Sequence, residues 1–193
     1  MAVEYEWKYR ADPDVQELLF RKTVGSWQTF AMETTYYDTA QGALSHLHYT
    51  LRRRMENGKS VCTVKTPAPN GGRGEWEIEA ASIEQAIPVL CKLGAPETLR
   101  SLTTDGVIPI CGAKFLRRAC SIDIGNTVVE LALDKGILSG GGRGVSLCEI
   151  EIELKEGTVE AAAAFAAHLA KKYGLVQETK SKFRRALDLA KEK

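Results

Sequence analysis

The sequence predicts an α+β fold, a mostly antiparallel sheet with helices interspersed along the chain. Two observations carry that expectation. First, the segments Glu4-x-Glu6-x-Lys8, Arg52-x-Arg54, Glu75-x-Glu77-x-Glu79, Glu130-x-x-x-Asp134 and Glu149-x-Glu151-x-Glu153-x-Lys155 each keep their charges to one parity. Strand side chains alternate between faces with period two, so each segment read as a strand is charged on one side only. The intervening positions are apolar: Tyr5 and Trp7, Trp76 and Ile78, Val129, Leu131 and Leu133, and Ile150, Ile152 and Leu154. Second, Asn57-Gly58 and Gly125-Asn126 stand between such segments as two-residue hairpin turns. A sheet patterned in this way is either half solvated or rolled up with its charged face as the lumen.

Taken in order, residues 3–10 alternate as a strand. Asp12-Pro13 then supplies an N-cap and a proline at the first helical position, opening a helix to about residue 22. Residues 30–37, 48–55, 59–66 and 76–80 read as strands, the second and third joined at Asn57-Gly58. The stretch from Pro67 to Gly74 is too rich in glycine and proline for regular structure. Ser82 caps a helix through about residue 93, ended by Gly94, whereas residues 99–114 show no legible period.

The next pair of strands, 115–124 and 127–134, fixes a register. Pairing Ile124 with Thr127 places Ser121 opposite Glu130 and Arg117 opposite Asp134. Arg117 therefore shares the charged face, and Arg118 does not. Gly140 to Gly144 reads as a flexible connection before a strand over 148–155. Helices follow over 159–173, stopped by Gly174, and over 181–191.

With 193 residues and no internal repeat or linker, one domain spanning 1–193 is expected. The 26 basic and 25 acidic residues nearly cancel, so no global field recruits nucleic acid or a membrane surface. Neither a transmembrane run nor a signal-peptide core is visible, and a cytoplasmic location is expected. Five cysteines without C-x-x-C spacing suit reduced thiols better than disulfides or zinc.

Carboxylates at i, i+2 and i+4 on one strand face stand only about 6–7 Å apart. Ionised together they repel unless a cation intervenes. Oxygen donors without clustered histidine or cysteine select Mg²⁺ or Mn²⁺ over Zn²⁺. A solvated acidic face is the alternative for any one triplet, but three of the same design weigh against it. The basic residues Lys8, Arg52, Arg54, Lys65, Arg117 and Lys182 come from widely separated segments. Converging, they would grip a multiply charged phosphate; otherwise they neutralise the neighbouring glutamates across strands. His46 and His48 read as structural or exposed, and the two Gly-Gly-Arg-Gly stretches precede no helix, which argues against phosphate-cradling loops.

In sequence order these residues resemble the CYTH family, also called triphosphate tunnel metalloenzymes. Glu4-Tyr-Glu6-Trp-Lys8 matches its N-terminal E-x-E-x-K signature. Tyr36-Tyr37-Asp38-Thr39, Leu51-Arg52-Arg53-Arg54, Thr63-Val64-Lys65, Arg73-Gly-Glu75-Trp-Glu77, Glu130-Leu-Ala-Leu-Asp134-Lys-Gly136, Glu149-Ile-Glu151-Ile-Glu153-Leu-Lys155 and Ser181-Lys182 follow in the family's order. The resemblance implies a closed or nearly closed barrel of eight antiparallel strands around a charged tunnel, with helices packed outside. It is most similar to the bacterial inorganic triphosphatases, without the helical, histidine-rich domain that follows the barrel in some of them.

By the same resemblance, Glu4, Glu6, Glu149 and Glu151 would hold metal, with Asp134 and Glu153 as further candidates. Lys8, Arg52, Arg54, Lys65, Arg117 and Lys182 would grip the triphosphate, Arg184 and Arg185 competing with Lys182 for that place. Lys8, Arg52, Arg54, Glu75 and Glu77 would serve catalysis, the last two as support for the metal or in orienting water. The implied reaction is Mg²⁺- or Mn²⁺-dependent hydrolysis of a small-molecule triphosphate, foremost inorganic tripolyphosphate, to pyrophosphate and phosphate, by a monomer or homodimer. Class IV adenylyl cyclase, thiamine or nucleoside triphosphatase and a non-catalytic polyphosphate binder are the alternatives.

Overall fold

The structure, a computed structural model, describes residues 5–67 and 73–191. Glu4 and residues 68–72 of the glycine- and proline-rich stretch lie outside the described residues. The strands are β1 (Glu6–Arg10), β2 (Gln28–Asp38), β3 (Thr50–Glu56), β4 (Lys59–Pro67), β5 (Arg73–Glu79), β6 (Ile108–Asp123), β7 (Val128–Gly140), β8 (Arg143–Glu156) and β9 (Val176–Gln177). The helices are α1 (Pro13–Lys22), α2 (Ala43–His46), α3 (Ile83–Lys92), α4 (Glu97–Leu102), α5 (Val159–Tyr173) and α6 (Lys182–Lys191). The molecule is α+β, as expected.

One sheet contains every strand, in the order β5-β4-β3-β2-β6-β7-β8-β1-β9, and all its pairings are antiparallel. It has nine strands rather than eight. After Gly174 the chain returns along β1, pairing Tyr9 with Gln177 and Arg10 with Val176. Hydrogen bonds do not close the sheet, since β5 and β9 form its two edges. Nevertheless it curls strongly: Glu75 and Glu77 at one end of the order line the same cavity as Glu153 and Lys155 near the other.

The hairpins follow from their turn residues. Asn57 and Gly58 have φ of 47° and 87°, the left-handed pair that a twisted two-residue turn requires. At Gly125-Asn126 the Ile124 amide donates to the Thr127 carbonyl at 2.8 Å. The register then runs as predicted, Ser121 opposite Glu130 and Arg117 opposite Asp134. Arg118 points the other way, its guanidinium 4.3 Å from the Phe20 ring centroid on α1.

The convex face is covered in two places. Val129, Leu131, Leu133, Ile150 and Ile152 pack beneath α1 and α5 through Leu19, Ala162, Ala166 and Leu169. Leu51, Cys62 and Val64 pack beneath α2, α3 and α4 through Leu44, Ile83, Leu90 and Leu99. A third cluster lies on the charged face. Met32, Ala113, Phe115, Leu138 and Leu147 are in register with the charged positions and receive Ala186 of α6. So α6 lies against the concave side, whereas the resemblance implied helices packed outside.

Two further expectations are corrected. Gly140 to Gly144 is no slack connection: β7 and β8 continue to Gly140 opposite Arg143, turning at Gly141 and Gly142 with φ of 57° and 76°. A Cβ on Gly140 would stand 2.2 Å from the Ala186 carbonyl oxygen, so the glycines let α6 approach the strand end. Residues 99–114 contain part of α4 and the start of β6, where Pro109 and Gly112 obscure the strand pattern beside an irregularity in the pairing at Tyr36 and Tyr37.

Candidate active site

All six predicted cations, Lys8, Arg52, Arg54, Lys65, Arg117 and Lys182, line one cavity of about 570 Å³. They arrive from β1, β3, β4, β6 and the first turn of α6. A second cavity of about 610 Å³ shares Arg52, Arg54, Lys65, Arg117 and Glu153 with the first. The two are ends of one charged channel along the concave face. Its α6 end adds Thr50, Arg73 and Arg184, and its far end adds Glu56, Glu77, Glu130 and Lys155.

One wall is an interlocked ion cluster. Lys182 Nζ lies 2.8 Å from Asp134 Oδ2, 3.0 Å from Glu149 Oε1 and 2.6 Å from Glu151 Oε1. Arg117 donates from Nε and Nη2 to the two oxygens of Asp134 at 2.8 and 2.7 Å, and also to Glu151. Arg185 Nη1 reaches Glu149 Oε2 at 2.7 Å and Glu178 Oε2 at 3.2 Å. Asp134 and Glu149 are fully buried. From the convex side the buried Gln16 amide donates to the Asp134 and Glu149 carbonyls at 2.9 and 2.7 Å, fastening β7 to β8 beneath the cluster.

Protonation follows from this geometry. Burial opposes ionisation of Glu151, yet Lys182 and Arg117 hold its carboxyl far below the usual range. Burial lifts Glu149, an effect its bonds to Lys182 and Arg185 only partly offset. Lys182 is opposed by burial but raised by Asp134, Glu151 and Glu149 together, so it stays charged.

The opposite wall is poorer in compensating charge. Arg52 and Lys65 share Glu75 at 3.7 and 3.0 Å, and Arg54 meets Glu56 at 3.1 Å. The Nε atoms of Arg52 and Arg54 are buried and have no hydrogen-bond partner among the described residues. Burial depresses the Arg54 pKa, and the nearby Arg52 adds to that, with Glu56 and Glu77 opposing. Guanidinium donors of this kind, facing a channel, suit anionic oxygen acceptors. Glu77 accepts from Thr63 Oγ1 at 2.8 Å.

The expected metal ligands divide. Asp134, Glu149 and Glu151 have cationic partners, and Glu4 lies outside the described residues. Glu6 is the Cα partner of Glu153 across β1 and β8, and Glu153 that of Glu130 across β8 and β7. This row carries Lys155, 2.8 Å from Glu153 and 3.7 Å from Glu130, while Lys8 sits 3.2 Å from Glu6. No preformed cluster of three His, Cys, Asp or Glu ligands exists among the described residues. The donors in the row are all carboxylate oxygens, which suits a hard divalent cation.

Neither Gln16 nor Glu178 stands out in the sequence. Arg185 stands three residues after Lys182, hence on the same helix face, which is the signal that both enter the cluster. The remaining rival, Arg184, turns to Asp188 at 3.0 Å and borders the channel mouth. The cysteines are free, and burial pushes the Cys111 thiol up to about 12, consistent with neutral reduced thiols.

Curled sheet, paired charges and channel together define an α+β domain with a charged channel along its concave face. The chain belongs to the CYTH domain family, whose model matches residues 2–187. It is 26% identical over 166 residues to an inorganic triphosphatase of Haemophilus influenzae, covering 83% of this chain and 47% of that protein, so it spans about half the relative's length. Among solved structures, a putative adenylyl cyclase from Hippeastrum with a dominant triphosphatase activity superposes with a TM-score of 0.65 at 20% identity, covering 97% and 96% of the two chains. A putative adenylate cyclase from Bacillus halodurans gives 0.61 at 17% identity, covering 95% and 96%. These two likenesses show the fold.

Proposed function

We propose that this chain hydrolyses the terminal phosphoanhydride of a triphosphate held in the channel, with inorganic tripolyphosphate as the smallest substrate that satisfies it. The observation that carries the reading is the convergence of six cations on one cavity, with the buried Nε donors of Arg52 and Arg54 lacking hydrogen-bond partners among the described residues. The inorganic triphosphatase relative supports the same reaction class.

Arg52, Arg54 and Lys65 bind the phosphate oxygens from one wall, and Lys8, Arg117 and Lys182 complete the grip from the other. Glu6 and Glu153, with Glu4 next along the first segment, would hold Mg²⁺ or Mn²⁺. When bound, that ion supplies charge neutralisation at the phosphate oxygens. Glu75 is shared by Arg52 and Lys65 and acts as their positioning group. Glu77, hydrogen-bonded to Thr63, orients the attacking water and accepts its proton. The water oxygen bonds to the terminal phosphorus as the bridging P–O bond breaks, releasing phosphate and pyrophosphate. Phosphoryl transfer needs little covalent help, so positioning and charge account for the rate.

Phosphate release from tripolyphosphate, thiamine triphosphate, ATP and GTP, each with Mg²⁺ or Mn²⁺, tests this. Tripolyphosphate turnover that ceases with chelator is expected. Arg52→Ala should lose about 10²–10³-fold in kcat. Release from none of the four, or cyclic AMP with pyrophosphate from ATP on chromatography, would overturn the reading.

A further inference from the structure

Residues 178–181 join β9 to α6 and bring Lys182 to the channel, which Thr179, Lys180 and Ser181 also line. Glu178 lines neither cavity of the channel, yet three of its groups fix this segment. Its amide donates to the Lys8 carbonyl at 2.9 Å, and its Oε1 accepts from the Lys180 amide at 2.9 Å. Its Oε2 meets Arg185 Nη1 at 3.2 Å and Arg10 Nε at 3.3 Å. Ser181 then caps α6, its Oγ accepting from the Arg184 amide at 3.1 Å. One residue thus ties the strand that bears Lys8 to the turn that delivers Lys182.

The carboxylate also stands in a row of alternating charge. Arg185 Nη1 is shared between Glu178 Oε2 and Glu149 Oε2, the latter at 2.7 Å, and Glu149 Oε1 in turn holds Lys182 at 3.0 Å. Glu178 is 7% exposed and Glu149 fully buried, so salt screens these charges weakly. Without the Glu178 charge, Arg185 is left to Glu149 alone, draws that carboxylate toward itself and loosens its hold on Lys182. Arg185 borders a cleft of about 460 Å³, with Arg10 and Tyr173, that shares no lining residue with the channel. It therefore reaches a ligand in the channel only through its neighbours. Arg10 is the weaker partner, 64% exposed, and exposed pairs contribute little.

We infer that Glu178 is a positioning residue for the hydrolysis: from outside the channel it sets Lys182 through Arg185 and Glu149, and holds it in place relative to Lys8. The catalytic part of this rests on the triphosphatase reading, whereas the placing of Lys182 does not. Glu178 touches no phosphate. Its charge divides Arg185 between two carboxylates, and that division leaves Glu149 available to the lysine.

Glu178→Gln tests it, because glutamine keeps the shape and an acceptor for the Lys180 amide and removes only the charge. With tripolyphosphate, kcat should fall about 10–100-fold, the scale of a small misplacement at the reacting centre, while KM stays within about threefold. Arg10→Gln should keep kcat within about twofold. Arg185→Gln should lose at least as much as Glu178→Gln, and the double variant no more than the larger single loss, since both act on Lys182 by one route. The ammonium resonance of Lys182, assigned by its absence in Lys182→Met, reads the placing without turnover. It should shift in Glu178→Gln and stay in Arg10→Gln. An unchanged kcat in Glu178→Gln, a loss carried by KM instead, losses that multiply in the double variant, or an unmoved Lys182 resonance overturns the inference. A lower thermal midpoint with kcat unchanged gives Glu178 a structural role alone and overturns it as well. A wild type that hydrolyses no triphosphate sinks the enzyme reading; a Lys182 resonance that shifts in Glu178→Gln then still supports the placing of Lys182 by Glu178.

Discussion

Replacing Lys182 with methionine removes one positive charge from Asp134, Glu149 and Glu151, which stand 2.8, 3.0 and 2.6 Å from its nitrogen. Methionine keeps much of the straight stem, so the loss is chiefly electrostatic. Asp134 and Glu149 are fully buried with Lys182 in place, so their carboxylates depend on side-chain partners rather than solvent. Breaking a buried pair by removing one partner costs about 3–5 kcal/mol, because the other charge is left uncompensated. Arg117 still holds Asp134 and Glu151, and Arg185 still holds Glu149, which places the expected cost near the lower end, about 3 kcal/mol. Acidity sets the sign of a second effect. Burial already lifts the Glu149 pKa, and loss of Lys182 lifts it further. A carboxyl with a folded pKa above its unfolded one contributes stability that is present below the unfolded value and lost as pH rises through the folded one. Glu151 is the opposite case in the wild type, its contribution present above the unfolded pKa and lost as pH falls through the depressed folded value. Both effects make the variant's deficit larger at about pH 8 than at about pH 5, across the window where the carboxyls titrate. Urea denaturation followed by tryptophan fluorescence at the two pH values measures it. A deficit under about 1 kcal/mol, the scale of an exposed pair, or one that grows on acidification, would refute the reasoning.

Gly140→Ala should destabilise by about 1–3 kcal/mol, the usual range for overpacking, because its Cβ would meet the Ala186 carbonyl at 2.2 Å; the shift in thermal midpoint checks this, and none would mean that α6 can retreat freely. Arg118→Ala should keep tripolyphosphate turnover within about twofold, since the residue meets Glu17 at 3.1 Å on the convex side and exposed pairs contribute little. A large loss of turnover in that variant would place the hairpin register in error.

What the sequence disclosed depended on how many independent signals fell on each segment. Gly125-Asn126 and the alternating residues around it agree on one register, which is why the sequence alone turns Arg117 inward and Arg118 outward. At β6 the signals conflict: Pro109 and Gly112 interrupt the first half of a sixteen-residue strand that only tertiary pairing with β2 and β7 sustains. The glycines at 140–142 carried the opposite hazard. Their composition suggests slack, but the close approach of Ala186 and Ala190 requires them, and no local pattern reveals a helix arriving from far along the chain. Among site residues, identity was easier to read than pairing. Asp134 and Glu149 stand out in the sequence as metal-ligand candidates, but their ion pairs with Lys182 and, for Glu149, Arg185 depend on where α6 lies.

That pairing divides the channel into two kinds of wall. Along β7, β8 and α6, the carboxylates of Asp134, Glu149 and Glu151 are each bonded to a cation, so the cluster is close to neutral and its order is fixed without a ligand. Along β3 and β4, Arg52, Arg54 and Lys65 face Glu75 and Glu56, and the buried Nε atoms of Arg52 and Arg54 have no hydrogen-bond partner among the described residues. A polyanion entering the channel relieves repulsion and fills vacant donors on the second wall, whereas on the first it must compete with carboxylates already in place. On the proposed reading, binding energy would come mainly from Arg52, Arg54 and Lys65, with the Lys182 cluster as the rigid abutment against which phosphates would be held. Preorganisation of this kind lets charge stabilisation act on the transition state without the protein reordering at the moment of reaction.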